Sequence, residues 1–319
     1  MKRARPGTTA GAVKRATVAG VVITHPDRIV FPALQITKLE LARYYARVAP
    51  LMLPHVAGRP LALVRCPDGI GKQCFFQKHW VGTPPPAIDT VRILQHDGTR
   101  RRHVVIHSAT GLVTLAQWGV IEIHPWGCRA DDVNLPDRIV FDLDPAPGVA
   151  WSTVQDAARQ LHRLLGRQGV DSWLKTSGGK GLHVVVPIAR QRSWDDASNF
   201  ARGIAEQLRA AFPDRVITKA SKSARRGRVF IDWLRNSRGA TSVAPWSPRA
   251  RPSAGVSVPL PWPRLGHVGA GDQYTVTSVR VPSADPWRKL VASRQGLKCS
   301  TSPYHDGSWS SAPSSATSS

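Results

Sequence analysis

Acidic residues are scarce: 21 Asp and Glu stand against 44 Lys and Arg in 319 residues, a formal charge of +23 and a pI near 11.1. Such an imbalance is the electrostatic footprint of phosphate neutralisation and points to nucleic acid or a phosphate-rich ligand, with a basic but inert surface as the alternative. Cysteine is nearly as rare. The four present (Cys66, Cys74, Cys128, Cys299) include no C-x-x-C pair, which argues against structural zinc and a disulfide framework and leaves reduced, mostly structural thiols as the expectation. A long apolar run is also missing. The best uncharged stretch, 104–121, is broken by His107, Ser108, Thr110, Gly111, Thr114, Gln117 and Gly119, so no membrane partner is expected. The opening MKRARPGTTAGAVKRATV is basic but lacks a hydrophobic signal core, and a cytoplasmic, nucleoid-associated location is the corresponding expectation.

Enough remains for a large buried core, since 42% of the residues are hydrophobic. Residues 1–18 read as a flexible basic arm carrying Lys2, Arg3, Arg5, Lys14 and Arg15 without one acid. From Thr301 onward eight of nineteen residues are serine, a composition that buries too little surface to offset its ordering entropy, and 291–319 is expected to be a disordered tail. Between them 19–290 reads as one catalytic domain, with Pro-rich loops at 83–86 and 245–263. Thr37-x-x-Glu40, Ser152-x-x-Gln155 and the weaker Ser193-x-x-Asp196 are capping boxes, each ahead of apolar residues at helical spacing. Short Val-, Ile- and Phe-rich runs at 138–143, 182–187 and 228–234 predict strands.

Those strands carry the chemistry. In the first, the period of two puts Asp142 and Asp144 on one face and Phe141 and Leu143 on the other. Two carboxylates ~4 Å apart at an effective dielectric near 20 repel by ~4 kcal/mol, a penalty that a divalent cation turns into attraction. Hard oxygen ligands of this kind suit Mg²⁺ or Mn²⁺ carried with a substrate phosphate, unless the strand simply runs out into a solvated turn at Pro145–Gly148. Asp232 sits in the middle of the third run, where an unpaired carboxylate would be costly. It either completes a three-carboxylate, two-metal cradle with the first strand or forms a salt bridge to Arg228 or Arg235.

The second run is entered through Lys175-Thr176-Ser177-Gly178-Gly179-Lys180-Gly181-Leu182-His183. Its glycines permit close backbone approach to a phosphate, and Ser177 and Lys180 add a hydroxyl and a charge. The alternative is a plain glycine turn. The pattern is not G-x-x-x-x-G-K-[ST], so P-loop hydrolysis is disfavoured. Adjacent Phe75 and Phe76 ahead of Lys78 suit stacking at a base step, although core packing is the commoner use of such a pair. His124 is a candidate cleft imidazole or a satisfied structural one. Lys219, Lys222, Arg225, Arg226 and Arg228 form either a backbone-phosphate surface or a solvated loop, and Arg249 and Arg251 are within reach of a triphosphate.

In order, HPDRIVFP, TKLELARYY, RPLALVRCPDG, CFFQKH, EIHPWG, PDRIVFDLDP, KTSGGKGLHVVVP, RVFIDWLRN and RGATSVAPWSPRAR resemble the polymerase domain of bacterial ligase D, of the archaeo-eukaryotic primase superfamily, from about His25 to Trp287. The resemblance implies an α/β (mixed α+β) primase-polymerase fold with a central catalytic sheet flanked by helices and a basic DNA groove. It implies a DNA-end-processing nucleotidyltransferase of non-homologous end joining that extends primer 3′ ends at gaps and breaks, favours ribonucleotides, and uses NTP or dNTP with two Mn²⁺ or Mg²⁺ ions. Its partners would be double-stranded ends with a 5′ phosphate, Ku and a separate ligase.

By motif, Asp142, Asp144 and Asp232 become catalytic metal ligands. Ser177, Gly178, Gly179, Lys180, His183 and Arg249 hold the triphosphate, and His124 lies near the sugar. Phe75 and Phe76 contact the template, and Arg28 and Lys38 grip the downstream 5′ phosphate. Three departures stand out. Gln35 replaces the usual glycine, Trp233 a common tyrosine, and no Lys-x-Asp-Gly ligase nucleophile occurs. The chain therefore should not seal nicks, and it reads as either a stand-alone polymerase, for which the starting methionine and serine-rich ending speak, or a cut-down piece of a larger protein. The rival readings are a haloacid-dehalogenase-type phosphatase, disfavoured because Pro145-Ala146 follows the second Asp, and a catalytically silent DNA-end-binding module.

Overall fold

The chain begins with two short hairpins, β1 (Arg15–Val18) with β2 (Val21–Thr24) and β3 (Ile29–Phe31) with β4 (Ile36–Thr37), which lead into helix α1 (Lys38–Val56). This computed structural model describes residues 15–221, 223–293 and 295–297. Strands β5 (Leu61–Arg65), β6 (Phe75–Gln77), β7 (Asp89–Leu94) and β8 (Arg100–Val105), then helix α2 (Ala109–Gln117) and β9 (Val120–Pro125), build the first half. The second half runs β10 (Arg138–Pro145), α3 (Trp151–Arg167), β11 (Trp173–Thr176), β12 (Leu182–Pro187), α4 (Trp194–Ala211), β13 (Val216–Ile217), β14 (Val229–Asp232), β15 (Pro259–Leu260) and α5 (Arg288–Ala292).

Two sheets result. One has six strands in the order β13-β14-β10-β12-β11-β15, antiparallel throughout except for β13 beside β14. The other joins β6, β5, β8 and β7, with β9 paired to β5. Helices α3 and α4 cover one face of the six-stranded sheet through Val154, Ala158, Leu161, Leu165, Ala201, Ile204 and Leu208, all buried at helical spacing. That leaves the opposite face of β10, β12 and β14 for polar side chains. One contiguous core spans both halves. Tyr44 stitches them together, its hydroxyl donating to the Trp246 carbonyl (2.8 Å), while that of Tyr45 donates to the Ile121 carbonyl (2.7 Å) within the first half.

The capping boxes at Thr37 and Ser193 form, each with both reciprocal hydrogen bonds. The one read at Ser152 does not. Helix α3 starts a residue earlier, its N-cap is Ala150 with no side-chain cap, and Gln155 instead donates to the carbonyls of Leu265 and Val268. The Pro-rich segment 245–263 is not purely loop, since it supplies β15 and enters a 3₁₀ turn at Trp262–His267. The expected reduced state is corrected for two thiols: Cys66 and Cys74 are disulfide-bonded, and Cys128 is free and buried. Of the arm, Arg15–Val18 is strand, and Lys2, Arg3, Arg5 and Lys14 lie outside the described residues. Packing also continues past 290: the Gln295 amide donates to the carbonyls of Asp171 and Pro187, and Leu297 is buried. Residues 298–319 lie outside the described chain.

Candidate active site

The three acids meet because β10 is flanked by β12 and β14. Asp142 stands opposite Asp232 on one side and His183 on the other, and Lys175 of β11 stands opposite His183. In-register neighbours point to the same face, so Asp232, Asp142, His183 and Lys175 form one row across four strands, with Asp144 two residues further along. The salt bridge raised as the other reading of Asp232 is present, to Arg235. Arg235 Nε lies 3.0 Å from Asp232 and 3.8 Å from Asp142, and Arg225 Nη1 lies 3.4 Å from Asp144.

The acids differ electrostatically. Burial raises Asp142, but His183, Arg235 and Lys175 outweigh it and hold its carboxyl well below the usual range. Asp144 and Asp232 are raised, each by burial first and by repulsion from Asp142 as well. This mutual repulsion is the property expected of a cation cradle, and the donor set of hard carboxylate oxygens fits Mg²⁺ or Mn²⁺. Among the described residues no three His, Cys, Asp or Glu side chains are grouped so that they could hold a metal ion.

Asp232 opens onto a cavity of about 300 Å³ lined also by Phe76, Lys78, Arg225, Phe230 and Arg235. Phe75 and Phe76 are both exposed on β6, so core packing does not account for them. The ring of Phe76 meets His124 edge-on at 5.6 Å, and Phe75 borders a neighbouring cavity with Pro67, Asp68 and Lys72. Arg28 Nη1 donates to the Pro67 carbonyl (2.7 Å) and to Asp68 (2.9 Å), and Lys38 Nζ donates to the Thr24 carbonyl. Burial, then the nearby Arg28 charge, lowers the Lys38 amine to about 8. Gln35 adopts φ +52°, the left-handed conformation that glycine takes most easily.

The glycine turn is built differently from its expected form. Ser177 Oγ accepts from the Gly179 and Gly181 amides (3.1 and 3.0 Å), so those two N–H groups hold the turn rather than face a phosphate. A Cβ at Gly181 would collide with the Leu143 carbonyl, and one at Gly178 would meet Arg249 Cγ at 2.9 Å. Arg249 and Arg251 do pack against the turn, with Arg249 Nη1 donating to the Ser177 carbonyl (3.0 Å). Lys180 is exposed above it. His183 is 2% exposed, 3.4 Å from Asp142, and lowered to about 4 by burial and then by Lys175, so it backs Asp142 from inside the sheet. Of the basic cluster, Lys219, Arg225, Arg226 and Arg228 are in place on the β13–β14 connection, and Lys222 lies outside the described residues.

Two functional candidates escaped the sequence reading. Glu122 is buried and accepts from His124, Arg249 and the Ala250 amide, and Lys175 is buried with its amine donating to Ser257 Oγ (2.7 Å). Each left a signal, namely a charge inside an apolar run, in Val120-Ile121-Glu122-Ile123 and in Trp173-Leu174-Lys175-Thr176.

Among known proteins, the family described as "LigD, primase-polymerase domain" matches residues 37–287. The multifunctional non-homologous end joining protein LigD of Pseudomonas aeruginosa is 40% identical over 294 residues, covering 91% of this chain and 35% of that protein. The protein of the same description from Mycolicibacterium smegmatis is 36% identical over 255 residues, or 78% of this chain and 33% of that one. The chain thus spans about a third of the length of the curated relatives it matches. A solved structure, the polymerase domain from Mycobacterium tuberculosis ligase D in complex with DNA, aligns with TM-score 0.79 and 33% identity over 86% of this chain and 99% of that one.

Proposed function

The chain belongs to the LigD primase-polymerase domain family, and we propose that it is a divalent-metal-dependent nucleotidyltransferase that adds nucleotides, preferentially ribonucleotides, to primer 3′ ends at DNA gaps and breaks. The observation that carries this reading is the register of β10 and β14. It sets Asp142 against Asp232, with Asp144 on the same face, and Asp232 lines one cavity together with the exposed Phe76.

The roles follow from placement. Asp142, Asp144 and Asp232 would hold the metal pair, which when bound lowers the pKa of the primer hydroxyl and neutralises the departing pyrophosphate. Asp232, raised by burial and by Asp142, is placed to take up the hydroxyl proton. Arg235 and Arg225 pair with the acids and would share those carboxylates with a bound metal pair. Arg249, Arg251 and Lys180 surround the glycine turn as triphosphate ligands, and His124 faces the sugar beside Phe76. Phe75 and Phe76 supply π-faces for the template, and the paired cations Arg28 and Lys38 receive a downstream 5′ phosphate.

A DNA partner accords with the charge of +23 and with the DNA complex of the M. tuberculosis relative. Ku and a ligase would be the remaining partners in end joining. The test is incorporation on a gapped duplex bearing a downstream 5′ phosphate, with ribo- and deoxyribonucleotides in competition. Addition that is lost with EDTA, restored by Mn²⁺ and richer in ribonucleotide is expected. Tight DNA binding without addition would instead establish the silent end-binding module.

A further inference from the structure

Two residues apart on β9, Glu122 and His124 share a face and meet the segment that carries Arg249. The Glu122 side chain is 7% exposed, and three donors converge on it. His124 Nε2 lies 2.7 Å and Arg249 Nε 2.8 Å from Oε2, and the Ala250 amide lies 2.7 Å from Oε1. Arg249 is thereby held at two points, since its Nη1 also donates to the Ser177 carbonyl at the glycine turn. A guanidinium has five N–H donors in one rigid plane. With two of them engaged here, three remain for an anion at the turn.

We propose that Glu122 is the positioning residue of the triphosphate site, clamping the Arg249 guanidinium against the Ser177–Gly181 turn and fixing which ring nitrogen of His124 carries the proton. The proposal rests on the reading of Arg249 as a triphosphate ligand. A buried ion pair is by itself a poor source of stability, since apolar side chains replacing both partners are often as stable or more so. The carboxylate's contribution is orientation: it holds a flexible arginine in one geometry before substrate arrives, removing an ordering cost from binding. Burial raises the Glu122 carboxyl, but the His124 hydrogen bond, Arg249 and the Ala250 amide outweigh it and hold it at about 2. Ionised, it can only accept, so His124 Nε2 must donate. Nδ1, which has no hydrogen-bond partner among the described residues, is then the acceptor that the ring offers beside Phe76.

The test compares Glu122→Ala, Glu122→Gln, Arg249→Ala and the Glu122→Ala/Arg249→Ala double variant of the full chain. Readouts are KM and kcat for a nucleoside triphosphate, direct binding of a fluorescent ATP analogue without DNA, and the ¹⁵N shifts of the His124 ring. Glu122→Ala is expected to raise KM about tenfold with a smaller change in kcat, and to add less than twofold on top of Arg249→Ala. Glu122→Gln should recover part of the loss because its amide oxygen still accepts, while the His124 shifts move away from a pure Nε2–H form. Effects of Glu122→Ala and Arg249→Ala that multiply, or an unchanged KM in Glu122→Gln with unmoved His124 shifts, would overturn the clamp. Should Arg249→Ala leave analogue binding intact, the triphosphate reading of Arg249 itself fails, and the proposal with it.

Discussion

At the scale of single residues, Lys38 gives a pH-dependent expectation. Its amine, ordinarily at 10.5, sits at about 8 because it is buried and lies near the charge of Arg28. The folded protein sheds this proton before the unfolded chain does. Stability therefore bears the cost of the buried charge below about 8 and regains it as pH rises toward 10.5. Binding runs the other way, because the cation that would receive a 5′ phosphate disappears over the same interval. The preference for 5′-phosphorylated over 5′-hydroxyl ends is expected to fall severalfold between pH 7 and 9 in fluorescence-anisotropy titrations, and Lys38→Met should abolish both the preference and its pH dependence. A preference unchanged across that range would remove Lys38 from the phosphate site.

Residues of this kind were legible where the strand period alone fixed a face, as for Asp142 and Asp144. They were hidden where the partner lay far along the chain. Glu122 meets Arg249 127 positions away, and nothing in EIHPWG shows that contact. The Cys66–Cys74 bond was hidden for a related reason: it closes the loop between β5 and β6, whose antiparallel pairing is not visible in an eight-residue spacing.

Among elements, the β10–β12 junction is the least tolerant of change. A methyl at Gly181 has nowhere to go but into the Leu143 carbonyl, on the strand that carries Asp142 and Asp144. Gly203, exposed within α4, has nothing within 4 Å of the position its Cβ would take. Gly203→Ala should stabilise the protein by about 0.5–1 kcal/mol in urea unfolding, through helix propensity and a less flexible unfolded chain. Gly181→Ala should instead lose nucleotide addition and unfold at lower urea. Equal behaviour of the two would contradict the close approach. Helices α1, α3 and α4 were readable from their caps or apolar spacing, except that tertiary partners of Gln155 displaced the box expected at Ser152, whereas α2 and α5 were not read. The strand β13 was unreadable, because two residues held by a parallel neighbour carry no periodicity.

At the scale of the molecule, the excess of 23 positive charges acts collectively. With about 6 phosphate contacts, affinity for duplex ends is expected to drop roughly 10³-fold between 50 and 200 mM salt, as counterions released on binding become less dilute. A flat response in gel-shift or anisotropy titrations would remove the electrostatic basis of DNA binding. Charge made the class of partner legible. The two-sheet layout was not, since which strands neighbour one another is decided by packing against α1–α4 rather than by any one strand.

That layout serves one claim, that Asp142, Asp144 and Asp232 form a metal-dependent centre for nucleotide transfer. The most direct measurement is primer extension on a 5′-phosphorylated gap with Mn²⁺, comparing the unaltered chain with its Asp142→Ala/Asp144→Ala variant. Addition in the first, at least 100-fold less in the second, and DNA affinity within about threefold of each other is the expected result. Extension at an undiminished rate by the double variant would contradict the assignment.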